Sequence, residues 1–124
     1  MAEVKATVRP ALSVPTTTVK AGKGAEMHVL VGPEQGATSF VLRRFIMSRG
    51  GGMPLHTNLV EHQQYVLKGR ARVRVGDMTH EVTPDTTLFI PAGMPHSYEV
   101  LEGPFEFICV VPDKPDQVSL VEGG

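Results

Sequence analysis

Apolar and polar residues alternate along much of this chain, which is the pattern of half-buried strands. The cleanest case is "GRARVRVG", residues 69–76, where Ala71, Val73 and Val75 share one face and Arg70, Arg72 and Arg74 the other. The arginine row is expected to face solvent. "GD" at 76 and 77 then signals a tight hairpin, with "MTHEVT" as the returning strand. "TSFVLRRFIMSRG", residues 38–50, is apolar on both faces apart from one arginine on each, which predicts a strand covered on both sides. "AEMHVLVG" (25–32), "PDTTLFIP", "HSYEVL" and "FEFICVV" (105–111) read as further strands. "GGGMP" is expected to break the chain as a flexible loop, and "AGMPH" to be a turn that delivers His96 onto its strand. In the last strand Glu106 marks the outer face, so Phe105, Phe107, Cys109 and Val111 are expected to point inward. Seven or eight strands with turns every eight to twelve residues predict an all-β sandwich or barrel.

The ends are less regular. Residues 1–24 read as an N-terminal arm, in which "EVKATVRP" is a candidate strand for pairing with another subunit. Residues 25–112 hold the barrel, and residues 113–124 form a tail expected to be only partly ordered. A length of 124 residues suits one domain, and 41% apolar residues suffice for a real core. The formal charge of −1 leaves no basic face for nucleic acid or a membrane surface. There is no long apolar run, and the N-terminus lacks the pattern of a signal peptide. Cys109 is the only cysteine, so no intrachain disulfide forms, and a cytoplasmic setting is expected.

Chemistry concentrates in the histidines. His56, Asn58 and His62 are spaced so that a loop end and the following strand can bring them to one point. His96 begins a later strand, which a closed barrel can lay beside the first. Three imidazoles facing one cavity suit a divalent transition metal. His80 has charged neighbours on a hairpin strand, and His28 sits in an apolar strand as a core or interface residue, so neither is expected to be a ligand. Glu61 points to the face opposite His62 and is left out of the donor set.

Residues 50–69 read G-x5-H-x-N-x3-H-x6-G, and residues 85–100 read D-x5-P-x-G-x2-H-x3-V. The pair resembles the two motifs of the cupin family, in their order and with fifteen residues between them. "YVLKG" and "IPAGMPH" carry the likeness most clearly, and it covers roughly residues 25–112. The resemblance implies a double-stranded β-helix, or jelly-roll barrel, with a metal inside one end. His56 and His96 then match motif histidines, Asn58 stands at the second histidine of the first motif, and His62 stands at its glutamate. A histidine at that glutamate also occurs in a subset of small single-domain cupins. Asp85 and Val100 replace a glycine and an asparagine that carry no metal chemistry.

Under this resemblance His56, His62 and His96 hold a divalent ion, with Fe, Mn, Cu, Ni and Zn all compatible. Asn58 either offers its amide oxygen or hydrogen-bonds a bound water. Without the glutamate the ion keeps its full charge, which favours an anionic small-molecule substrate. Gln64, Tyr98, Phe107 and Cys109 are candidate pocket residues, and Arg43 and Arg44 are candidate anion clamps. A dioxygenase, hence an oxidoreductase, is the first functional expectation. An isomerase or lyase, and a non-catalytic binder with a weakened metal site, are the alternatives. A homodimer is expected, as small single-domain cupins commonly form one.

Overall fold

In a computed structural model that describes residues 6–122, eight strands form one antiparallel sheet that closes into a jelly-roll barrel. The strands are β1 (Thr17–Thr18), β2 (Lys23–Val31), β3 (Phe40–Thr57), β4 (His62–Val75), β5 (Met78–Val82), β6 (Thr87–Ile90), β7 (His96–Pro112) and β8 (Ser119–Leu120). The spatial order is β1-β2-β3-β7-β4-β5, with β6 on β4 and β8 on β3. The long strand β7 is central. It pairs with β3 from Phe40↔Pro112 to His56↔His96, and with β4 from Gln63↔Val110 to Val75↔His96.

Period-two alternation sets what faces in. Val66, Ala71, Val73, Val100, Phe105, Phe107 and Cys109 are buried, and Phe107 stacks between Phe45 at 5.0 Å and Tyr98 at 5.3 Å. Each large side chain so buried stabilises the barrel by about 1.5–3 kcal/mol before entropy is charged against it. The arginine row of β4 faces outward as expected. Arg70 reaches Glu81 and Glu102, and Arg72 reaches Glu99 at 2.7 Å.

Two expectations are corrected here. "GGGMP" is strand, not a loop: β3 runs through it to Thr57. The glycines serve close approach, because a Cβ on Gly52 would lie 1.9 Å from the Tyr98 carbonyl oxygen, and one on Gly51 would lie 2.3 Å from that of Lys23. Gly52 also has φ +147°, which L side chains rarely adopt. "HSYEVL" and "FEFICVV" are likewise one strand, and β3, β4 and β7 keep pairing across bulges instead of ending at turns.

The arm and the tail both fold back on the barrel. β1 pairs with β2 of the same chain, Val14 is buried, and its carbonyl meets His28 Nδ1 at 2.6 Å. The buried His28 is thereby satisfied, while His80 is exposed. "EVKATVRP" is strand in none of its described residues, and its first three residues lie outside them. In the tail, β8 pairs with the end of β3 at His56↔Leu120 and Thr57↔Ser119. No helix among the described residues is long and apolar enough to cross a membrane.

Candidate functional site

Three strand ends meet at one mouth of the barrel. β3 carries His56 one residue before its end, β4 opens on His62, and β7 opens on His96. The His56 and His96 rings lie 4.1 Å apart between centroids, and those of His62 and His96 5.6 Å. All three are buried, and Asn58 joins them from the β3–β4 loop with 6% of its surface exposed.

Local backbone fixes how these groups point. His56 Nδ1 meets the Pro54 carbonyl oxygen at 2.8 Å, and His96 Nδ1 meets that of Met94 at 2.9 Å. A carbonyl only accepts, so each Nδ1 carries the proton and each Nε2 keeps its lone pair. His62 Nε2, His96 Nε2 and Asn58 Oδ1 are buried with no hydrogen-bond partner. Orphaned acceptors of this kind are rare and call for an explanation. Burial also lowers the imidazole pKa values, to about 3 for His62 and about 4 for His96, with His56 lowered as well. Desolvation is the main cause in each case, and the Arg43 charge adds to it at His62. The histidines are therefore neutral near pH 7, the form that ligates metals.

Asn58 is oriented by a residue the sequence does not advertise. Asp116, in the tail, accepts from Asn58 Nδ2 at 2.9 Å and from the Leu59 backbone N–H at 2.7 Å. That fixes which end of the amide is nitrogen and leaves Oδ1 buried and unpartnered in the wall that the histidines also line. A tail of the form "PDKPDQVSL" carries no motif for this. Its only hint is the apolar Val118 and Leu120 beyond Asp116, which return the chain to the barrel.

The site opens into a cavity of about 220 Å³. Gln64, Tyr98 and Phe107 line it with the histidines, Asn58 and Asp116, and Arg43, Phe45, Met27 and Met53 form much of the remaining wall. Gln64 accepts from the Tyr98 hydroxyl at 2.9 Å, and burial pushes the Tyr98 pKa up, so Tyr98 stays protonated. Cys109 lies behind this wall rather than in it. Its Sγ is 3.3 Å from Arg43 Nη2, 3.6 Å from His62 Nδ1 and 3.7 Å from Gln64 Nε2. Of the paired arginines, Arg43 faces the cavity. Arg44 faces the opposite side of the sheet, where it pairs with Glu106. A larger and more open groove of about 430 Å³ lies on the outside of the sheet, between Tyr65, Phe89, Ile108 and Val110. It contains no histidine.

The fit to a metal is chemical. No three His, Cys, Asp or Glu side chains among the described residues are arranged to hold an ion as they stand. The donor set nevertheless suits one, because the His96 Nε2 lone pair, the Asn58 amide oxygen and the His62 Nε2 atom line one cavity, buried and with nothing to bond.

Residues 43–111 match the Cupin_2 cupin domain family, over more than half of the chain. The chain is a cupin. This cupin is similar in structure to the polyketide cyclase RemF from Streptomyces resistomycificus, at 28% identity and a TM-score of 0.85, over 96% of this chain and 89% of that one. It is similar to the cupin-2 domain Rru_A2000 from Rhodospirillum rubrum at 23% identity and a TM-score of 0.81, over 99% and 84%. A cupin-2 domain protein from Halorhodospira halophila matches at 28% identity and a TM-score of 0.74, over 86% and 75%. No curated protein matches the sequence. One departure from the motif resemblance has a local account. At the motif glycine position Asp85 adopts φ 67° and accepts from the Tyr65 hydroxyl at 2.6 Å, so the left-handed turn is kept without glycine.

Proposed function

We propose that this cupin is a metal-dependent enzyme that closes a ring in a small enolisable polycarbonyl compound, the chemistry of a polyketide cyclase. The observation that carries this reading is one cavity with two poles. One pole is the cluster of unpartnered donors, His62 Nε2, His96 Nε2 and Asn58 Oδ1. The other is the aromatic stack of Phe45, Phe107 and Tyr98. His56, His62 and His96 would hold the divalent ion, with Asn58 as fourth donor or as acceptor for a bound water. Such an ion, when bound, supplies Lewis-acid stabilisation of an enolate.

The chain's own groups do the rest. The aromatic stack of Phe45, Phe107 and Tyr98 gives the cavity a rigid apolar wall, against which an extended polycarbonyl chain folds so that its reacting carbons come together. The apolar wall excludes water and so favours condensation over hydration. Gln64 has its oxygen committed to Tyr98 and one N–H directed at Cys109 Sγ, which leaves its second amide N–H to donate to a substrate carbonyl. Likeness to RemF supports the reading.

Dioxygenase chemistry is the second reading, and one observation favours it. The donor cluster contains no carboxylate, so a bound ion keeps its charge and its open positions for an anionic substrate together with oxygen. One experiment tests both. Bound metals are measured on the protein as purified and on His62→Ala, and a panel of 1,3-diketones and triketones is followed by mass spectrometry with an oxygen electrode. Metal lost in the variant, with products that have lost water and consumed no oxygen, supports the cyclase. Products that have gained two oxygen atoms support the dioxygenase. No metal after reconstitution, with no turnover, leaves a ligand-binding module and sinks both.

A homodimer completes the proposal. Phe40, Tyr65, Leu67 and Phe89 are exposed large apolar side chains, and Tyr65, Phe89, Ile108 and Val110 line one outer groove. Light scattering that gives a monomer would overturn this part.

A further inference from the structure

We propose that Arg43 is a docking point for a carboxylate, so that the substrate is a free acid whose carboxylate binds Arg43 while its carbonyl chain lies against the histidines. The proposal rests on the cavity being the substrate site, as in the reading above, and adds which anion it takes and where.

Arg43 differs in what it touches from Arg44, Arg70 and Arg72, and from Arg74, which donates to the Gly76 carbonyl oxygen. Arg44 pairs with Glu106, Arg70 with Glu81 and Glu102, and Arg72 with Glu99. Arg43 has no carboxylate within salt-bridge distance among the described residues. Its contacts are sulfur atoms, with Nη2 at 3.3 Å from Cys109 Sγ and Nη1 at 3.9 Å from Met27 Sδ. Thiol and thioether sulfurs are weak acceptors for a guanidinium that carries five N–H donors. Its Nε is buried without any partner. An unpaired cation so placed is costly, and the cost is recovered when an anion enters.

The guanidinium is also held ready. Its Cζ sits 5.1 Å over the Phe45 ring, a cation–π contact that fixes the plane of the fork. Arg43 was set in this position by β3–β7 pairing, opposite Cys109, and Cys109 in turn pairs with Gln64 of β4. Because Cys109 Sγ is 3.3 Å from Arg43 and 3.6 Å from His62 Nδ1, the guanidinium lies within about 7 Å of that histidine. A carboxylate on Arg43 therefore places the next few carbons of its chain beside the donor cluster. A planar fork matches a carboxylate with two parallel bonds, which a single carbonyl or a thioester does not offer.

The test compares 1-hydroxy-2-naphthoate with its primary amide, by calorimetry, on wild type, Arg43→Gln and Arg43→Lys. A β-diketone that enolises but carries no carboxylate is the third ligand. Wild type is expected to bind the naphthoate about 10- to 100-fold more tightly than the amide. Arg43→Gln should lose that preference while still binding the amide, which shows that the cavity is intact. Arg43→Lys should keep only part of it, since an ammonium binds as a point charge. A carboxylate preference unchanged in Arg43→Gln overturns the proposal. So does a preference for the diketone over the naphthoate that depends on Arg43, which would assign the anion as an enolate. Metal content is measured on the same samples. Metal binding without an Arg43-dependent preference removes this proposal and leaves the enzyme reading standing. The preference without metal does the reverse.

Discussion

Replacing Asp116 by alanine tests the arrangement of the donor cluster most directly. The carboxylate accepts from Asn58 Nδ2 at 2.9 Å and from the Leu59 N–H at 2.7 Å. Asn58 is buried, whereas Asp116 itself is exposed. A hydrogen bond to a charged group contributes about 1.5–3 kcal/mol when buried and less when wet. With Asp116 exposed, each bond is discounted to about 1 kcal/mol, so the two give roughly 2 kcal/mol in total. For a domain of this size that is a fall in Tm of about 6–10 °C. The more specific effect is on Asn58. Without Asp116 nothing distinguishes its two amide orientations, and the flipped one presents an NH₂ group to the histidines. Removing a hydrogen-bond partner that orients a ligand typically weakens metal affinity about 10- to 100-fold. Tm is read by calorimetry and affinity by competition with a chromogenic chelator. Asp116→Asn should fall between wild type and alanine, since its single oxygen can satisfy one partner only. If the alanine variant keeps both its Tm and its metal affinity, Asp116 does not orient Asn58.

Three further outcomes follow from particular residues. The folded pKa values of His62 and His96 are lowered to about 3 and about 4 from 6.5, so below pH 6.5 the unfolded chain binds more protons than the folded one. Stability of the metal-free protein is then complete above that pH and falls as pH drops through the window, by roughly 2 kcal/mol per histidine at pH 5; a Tm that is flat between pH 7 and pH 5 contradicts this. Gly52→Ala puts a Cβ 1.9 Å from the Tyr98 carbonyl oxygen at φ +147°, so it should cost about 3 kcal/mol or more and break the β3–β7 ladder there, seen as lost amide-exchange protection at Glu99. Asp85→Ala keeps φ 67° but loses the Tyr65 bond, whereas Asp85→Gly restores the backbone freedom. Glycine should therefore exceed alanine by about 1 kcal/mol in denaturant unfolding, and equal values would show that the turn is unstrained.

Most of the barrel was legible because its determinants are local. Alternation in "GRARVRVG" assigns inward and outward faces residue by residue, and Glu106 orients the last strand. The histidine triplet was legible for the same reason, since each ring sits at a strand end. What the sequence hides is contact between distant segments. Glycines that let β3 approach Tyr98 and Lys23 look identical to glycines that free a loop. Arg43 and Arg44 are indistinguishable as letters, and only pairing with β7 puts one against Cys109 and the other against Glu106. Asp116 stands 58 positions from Asn58, so no spacing rule reaches it.

Asp116 also changes how the missing motif glutamate is understood. His62 stands where the motif resemblance would put a carboxylate, and the cluster of His62, His96 and Asn58 has no charge of its own. The tail supplies one, but it places it behind Asn58, where it is occupied with the amide and with a backbone N–H. A carboxylate in the donor set would cancel part of a bound dication's charge at the ion itself. One held behind an amide makes Asn58 Oδ1 a stronger ligand without entering the donor set, so a bound dication would keep its charge on the face toward the cavity. Arg43 lies on that same face with no carboxylate to meet it among the described residues. The carboxylate that lines the cavity, Asp116, is thus engaged with Asn58 and Leu59, so under the proposal above the counter-charge for Arg43 would come in with the ligand. An anionic substrate would be held at both poles, and a neutral analogue would leave the guanidinium unpaired.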